Sequence, residues 1–105
     1  MTEAGSTATE SDVERAESHI IAQNEEAYKD TLFQLSARQR DLILAISKEG
    51  KARQITSSAF IKRHHLTSAS SVQKASALLV NKQILTHQQG VYEIYDKFFG
   101  TWLRQ

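Results

Sequence analysis

Residues 68–95, SASSVQKASALLVNKQILTHQQGVYEIY, change their hydrophobic period once, at Lys82. Before that point Val72, Ala75, Ser76 and Leu79 fall on one face of a helix from Ser70 to Lys82, with Leu78 at its edge. The opposite face is Ser70, Gln73, Lys74, Ala77 and Asn81, small and polar and free of acid. Beyond Lys82 the pattern shortens to that of strands. Ile84–Gln88 and Val91–Tyr95 are predicted to pair across Gln89-Gly90, where the glycine supplies the positive φ of a tight hairpin turn.

Upstream of this stretch, Leu66–Ala69 makes a turn, and a short helix runs through Ala59, Phe60, Ile61 and His64 with Thr56 or Ser57 as its cap. Arg53-Gln54-Ile55 is predicted as an isolated strand. A longer helix starts at the N-cap Ser36, with Gln39 at the capping-box position, buries Leu42, Ile43 and Ile46, and stops at a left-handed Gly50. Downstream, Asp96–Arg104 returns to helical spacing and concentrates Phe98, Phe99, Trp102 and Leu103. These side chains either close the core or form the hook for a partner; closure is the simpler expectation.

At the other end, Ser11 reads as an N-cap with Asp12 and Glu14 in the first turn. Val13, Ala16, Ile20, Ala27, Tyr28, Leu32 and Leu35 draw a thin apolar stripe interrupted at Asn24. The expectation is one long acidic helix over 11–34 that packs on a surface without being engulfed. Residues 1–10 have no periodicity and little bulk and are expected to be disordered.

Helix, helix, short strand, helix, helix, hairpin, terminal helix is the plan of a winged helix-turn-helix. The predicted class is mainly α (α+β), with a preceding long helix and a two- to three-stranded wing sheet. In that plan the Ser70–Lys82 helix is the one presented to a DNA groove, and the hairpin flanks it. The division of the chain is then a tail over 1–10, an acidic helix over 11–34 and a winged-helix domain over 35–105.

The run Leu35-Ser36-Ala37-Arg38-Gln39-Arg40-Asp41-Leu42-Ile43-Leu44-Ala45-Ile46 resembles the opening of a C-terminal winged helix found in archaeal-type AAA+ ATPases, relatives of the STAND class that also occur in bacteria. The resemblance continues at Ser68–Ala75 and is strongest in Gly90–Phe99 and Trp102-Leu103-Arg104. That family's tail usually has proline after the aspartate; Lys97 stands there in this chain, so the resemblance implies a less sharply set start to the terminal helix. It also implies that 11–34 is the end of a helical lid, and that the chain is the non-catalytic C-terminal piece of such an ATPase or a stand-alone relative.

The composition narrows the chemistry. The 105 residues contain no cysteine, which removes disulfides, zinc–thiolate sites and thiol nucleophiles, and no proline, which removes a polyproline linker. The longest apolar run, Leu42–Ile46, is far short of a membrane span, and no charged-then-apolar leader follows Met1, so a soluble cytoplasmic protein is expected. The four glycines, at 5, 50, 90 and 100, fit no G-x-x-x-x-G-K-[ST] register, so no phosphate-cradling loop supports ATP hydrolysis. His19, His64, His65 and His87 have no chelating spacing, and no Gly-x-Ser-x-Gly elbow activates a serine. No enzyme activity, metal or cofactor is expected.

Charge is unevenly shared. Residues 1–33 hold eight acids and two bases, a net −6; residues 34–105 hold four acids and eleven bases, a net +7. A basic helix-turn-helix behind an acidic segment fits a DNA-binding module. The candidate contacts are Ser70, Ser71, Gln73, Lys74, Asn81 and Lys82 on the recognition helix, with Arg38, Arg53, Lys62 and Arg63 toward phosphates. The hairpin tip His87-Gln88-Gln89-Gly90 lacks Lys and Arg, so binding is expected to be weak and salt-sensitive. The alternative is a protein-contact or regulatory domain, engaging an ATPase core or other protein through Phe98, Phe99 and Trp102. The acidic helix is then free to lie on its own domain's basic surface or to pair with a second copy as a homodimer.

Overall fold

The computed structural model describes residues 10–105, with side chains from Asp12 onward. The tail over 1–9, most of the segment expected to be disordered, and the Ser11 side chain expected as a cap lie outside the described residues. Six helices and three strands follow in the order α1 (Glu10–Gln23), α2 (Glu25–Phe33), α3 (Ala37–Glu49), β1 (Ala52–Arg53), α4 (Ser58–Arg63), α5 (Ala69–Asn81), β2 (Leu85–Gln88), β3 (Val91–Ile94) and α6 (Lys97–Arg104). The sheet is antiparallel with order β1-β3-β2, so the two hairpin strands are joined by a strand from the first half of the domain. This is the predicted winged-helix plan, with three strands in the wing sheet.

Hydroxyl and carboxyl caps set the helix starts. The Ser36 hydroxyl accepts from Gln39 N at 3.3 Å while the Gln39 side chain accepts from Ser36 N at 3.0 Å, completing the capping box. Ser57 accepts from Phe60 N, and Ser68 from Ser71 N, both at 3.2 Å. Asp96 accepts from Phe98 N at 2.9 Å and from Phe99 N at 3.3 Å, so α6 begins sharply although Lys97 occupies the position where the resembling family has proline.

Both helices of the helix-turn-helix end without glycine. After α4, His65 has φ 56°, with Leu66 N bonded to Ile61 O at 2.9 Å and His65 N to Lys62 O at 3.3 Å. After α5, Gln83 has φ 64°, with Ile84 N bonded to Leu79 O and Gln83 N to Val80 O, both at 3.0 Å. Each is a Schellman closure, whose paired backbone bonds satisfy the last carbonyls and hold a side-chain-bearing residue in the left-handed region.

Three expectations are corrected. The helix over 11–34 is two helices, broken at Asn24, whose Nδ2 donates to Ile20 O at 2.8 Å and whose backbone departs to φ −105°, ψ 6°. A short amide side chain competing for a carbonyl of the preceding turn is the physical reason. The strand predicted over 53–55 is Ala52–Arg53, because Gln54 turns to φ 51° and leaves the sheet. Gly50 does have positive φ, but with ψ −71° it adopts the γ-turn region and not the left-handed helical well; the chain reverses within two residues to reach β1.

The core is centred on α3. Its Leu42, Ile43, Ala45 and Ile46 are buried, meeting Phe60 of α4, Val72, Ala75 and Leu79 of α5, Leu85 of β2 and Phe99 of α6. Tyr28 packs on Phe99 with ring centroids 5.2 Å apart and on Trp102 at 5.7 Å, which joins α2 to the terminal helix. Arg104 Nη1 donates to Ser47 O at 3.0 Å and so ties the last turn of α6 to the last turn of α3. No helix among the described residues is long and apolar enough to cross a membrane.

Candidate nucleic-acid interface

Burial of Val72, Ala75, Ser76 and Leu79 rotates the other side of α5 outward, as the spacing requires. Ser70, Gln73, Lys74, Ala77 and Asn81 are all exposed, Ser71 is half-buried, and Lys82 is exposed at the C-cap. Leu78, at the edge, keeps 48 % of its surface in solvent. The α5 surface therefore has two parts.

At its N-terminal end, Arg38 of α3 lines a small crevice with Asp41, Leu66, Thr67, Ser71 and Val72. Arg38 thus stands beside the capped start of α5, next to the Ser71–Lys74 side of the helix. A backbone phosphate could be met there by a guanidinium, hydroxyls and an ammonium, with Asp41 as a carboxylate that opposes it.

Toward its C-terminal end, α5 faces the wing across an open groove. Gln73, Ser76, Ala77, Val80 and Asn81 form one wall, and His87 and Tyr92 the other. The two-residue turn explains the pairing: Gln89 (φ 54°) and Gly90 (φ 78°) both have positive φ, as a type I′ hairpin needs, and this sets His87 opposite Tyr92. Their rings stack at 3.9 Å with 9° between planes. Neither His87, read from the sequence only as part of a hairpin tip without cations, nor Tyr92 is among the candidate contacts expected from the sequence. The signal was available in principle, since a hairpin turning on Gln89-Gly90 fixes the register, but the ring contact needs the strands' actual closeness.

The remaining candidates are spread around the domain. Arg53, on the edge strand β1, pairs in register with Val91 of the central strand, so it sits at the wing's tip, separated from β2 by β3. Lys62 is exposed on α4. Arg63 is engaged: its Nη1 donates to Glu49 Oε2 at 2.5 Å, and His64 Nε2 meets the same oxygen at 2.7 Å while its ring packs on Phe60 at 4.6 Å. The hydrogen bonds from His64 and then Arg63 hold the Glu49 carboxyl below the ordinary glutamate value. Phe99 is buried, whereas Phe98, Trp102 and Leu103 are half-buried against the core.

The acidic segment does not lie over α5. Helix α1 packs against α6 and α2, and Glu17 lines a groove with Lys51, Lys97 and Arg104. Glu17 therefore shares its groove with three bases, and no α5 residue lines it. One feature of this segment was missed in the sequence: Phe33, outside the apolar stripe, is 86 % exposed and lines an apolar depression with Leu32, Lys29 and Arg40. Among the described residues no cluster of His, Asp and Glu is arranged to hold a metal ion.

A family model described as "Probable winged helix domain" matches residues 26–105. No curated protein and no solved structure gives a match.

Proposed function

We propose that this chain, which belongs to the family described as "Probable winged helix domain", is a non-catalytic DNA-contacting module that uses α5 as its recognition element. The observation that supports this reading is the open face of α5: exposed Ser70, Gln73, Lys74 and Asn81, with Arg38 beside its start and the wing beside its end. Amide side chains there suit the edge of adenine, and the few cations around them suit phosphate contacts of modest number. Affinity is accordingly weak and falls with salt.

The proposal extends to context. The resemblance of residues 35–46, 68–75, 90–99 and 102–104 supports reading the chain as the C-terminal module of a cytoplasmic AAA+/STAND-type ATPase, where it would position the ATPase on its DNA. The test is fluorescence anisotropy of labelled duplex across a salt series, with the full chain and with Lys74→Ala/Lys82→Ala. Binding that weakens with salt and is lost in the double variant is expected. Unchanged binding by the double variant would overturn the assignment of α5.

A second reading, a protein-contact domain, is favoured by the exposed Phe33 over Leu32, with Lys29 and Arg40 at its rim. On this reading the α1–α2 segment pairs with a second copy. Sedimentation should then show a dimer that Phe33→Ser converts to monomer; a monomer at all concentrations would remove it.

A further inference from the structure

The groove between α5 and the wing is built differently from the rest of the surface. None of its seven lining residues is Lys or Arg, so it has little to offer a phosphate. It offers instead an aromatic wall and two amides. His87 is exposed, with Tyr92 stacked on it in nearly parallel orientation, and the Gln73 and Asn81 amides form no hydrogen bond among the described residues. Ala77 and Val80 line the groove between those amides with small apolar surface.

A stacked aromatic pair that shares a groove with unpartnered amides is suited to the face and edge of a nucleobase. In a duplex both faces of each base are covered by its neighbours, and its pairing edge is occupied. Only a base outside the stack can use the His87 ring and the amides together. We propose that this groove accepts an unpaired nucleobase, so that the favoured ligand is DNA carrying a single-stranded overhang. The inference rests on the DNA reading above and specifies its ligand.

The arrangement along α5 agrees with a junction. Ser71, beside Arg38, and Asn81, beside His87, are separated by ten residues, or about 15 Å of helix axis. Phosphates of a paired segment would lie at the Arg38–Ser71–Lys74 end, and the first unpaired base would reach the wing. Stacking at the wing also offsets the low density of cations, because its strength does not depend on counterion release.

The test is anisotropy at one ionic strength with the full chain and three kinds of labelled ligand: a blunt duplex, the same duplex with a short adenine overhang of either 5′ or 3′ polarity, and the overhang duplexes with abasic sites in place of adenine. One overhang polarity should bind roughly 5- to 100-fold more tightly than the blunt duplex, and the abasic form, which keeps the phosphates, should lose the gain. His87→Ala should erase the ratio of overhang to blunt affinity, whatever it does to the blunt duplex itself, and His87→Phe should retain that ratio. Equal affinity for blunt and overhang ligands, or for adenine and abasic overhangs, would overturn the inference and leave the DNA reading intact. Failure of all three ligands to bind at low salt would overturn the DNA reading, and the inference with it.

Discussion

Replacing Phe99 with alanine distinguishes an α6 that closes the core from an α6 held out as a hook. Phe99 is 5 % exposed and lies against both Tyr28, at 5.2 Å, and Trp102, at 6.1 Å between ring centroids. A buried aromatic side chain removes on the order of 150–250 Å² from water. At about 25 cal/mol per Å², that is roughly 4–6 kcal/mol for the whole group. Alanine keeps a methyl, and the neighbours relax in part, so a loss of about 3–5 kcal/mol is expected. That is a large share of the roughly 5–15 kcal/mol available to a domain of this size. Urea unfolding of the full chain, followed by far-ultraviolet circular dichroism, reads it directly. Phe33→Ala is the internal control: with 86 % of its surface in solvent, its substitution should move stability by no more than about 0.5 kcal/mol. A Phe99→Ala loss below about 1 kcal/mol, with an unchanged denaturant slope, would refute the docking of α6 and the stability argument built on it.

Glycine should be preferred at the end of α5. Gln83→Gly removes the steric cost of a side chain at φ 64° and should raise stability by roughly 0.5–1 kcal/mol in the same urea assay. The Glu49 cluster predicts an acid dependence. Because its folded carboxyl is held below the ordinary value by His64 and Arg63, its contribution is fully present above the unfolded glutamate value and is lost as pH falls through the lower folded one. Glu49→Gln should therefore be less stable than the parent at neutral pH, and the difference should shrink on acidification. A gap that stays constant down to strongly acidic pH would exclude this origin.

Much of the fold is legible in local chemistry. Ser36 and Gln39 announce a capping box, the spacing of Val72, Ala75, Ser76 and Leu79 selects the buried side of α5, and Gln89-Gly90 gives the hairpin and its register. What escapes the eye depends on geometry that residue type does not signal. His65 and Gln83 take left-handed conformations because two backbone bonds hold each of them there, with no glycine to mark either turn. Asn24 shows as a gap in a stripe, yet the break at that point comes from a side chain competing for Ile20 O. The candidate site was legible on α5, where periodicity alone separates the outward residues. It was not legible for Arg63, whose partner Glu49 lies fourteen residues away in the chain, nor for the wing's contribution. Exposure of Phe33 agrees with its place off the stripe that carries Tyr28 and Leu32; what that stripe does not contain is the depression Phe33 lines together with Arg40 of the next helix.

The strand order has a consequence for how this molecule can associate. Strand β3, four residues long, sits in the middle, so the edges of the sheet among the described residues are β1, two residues long, and β2, four residues long. An edge that short offers few main-chain groups to an incoming strand, and Arg53 on one rim adds a charge that would have to be matched. Strand addition, by a peptide or by a neighbouring copy, is therefore a poor route to assembly here. The same economy of backbone disfavours growth into fibres from the wing and leaves the helices as the broader surface for contact among the described residues.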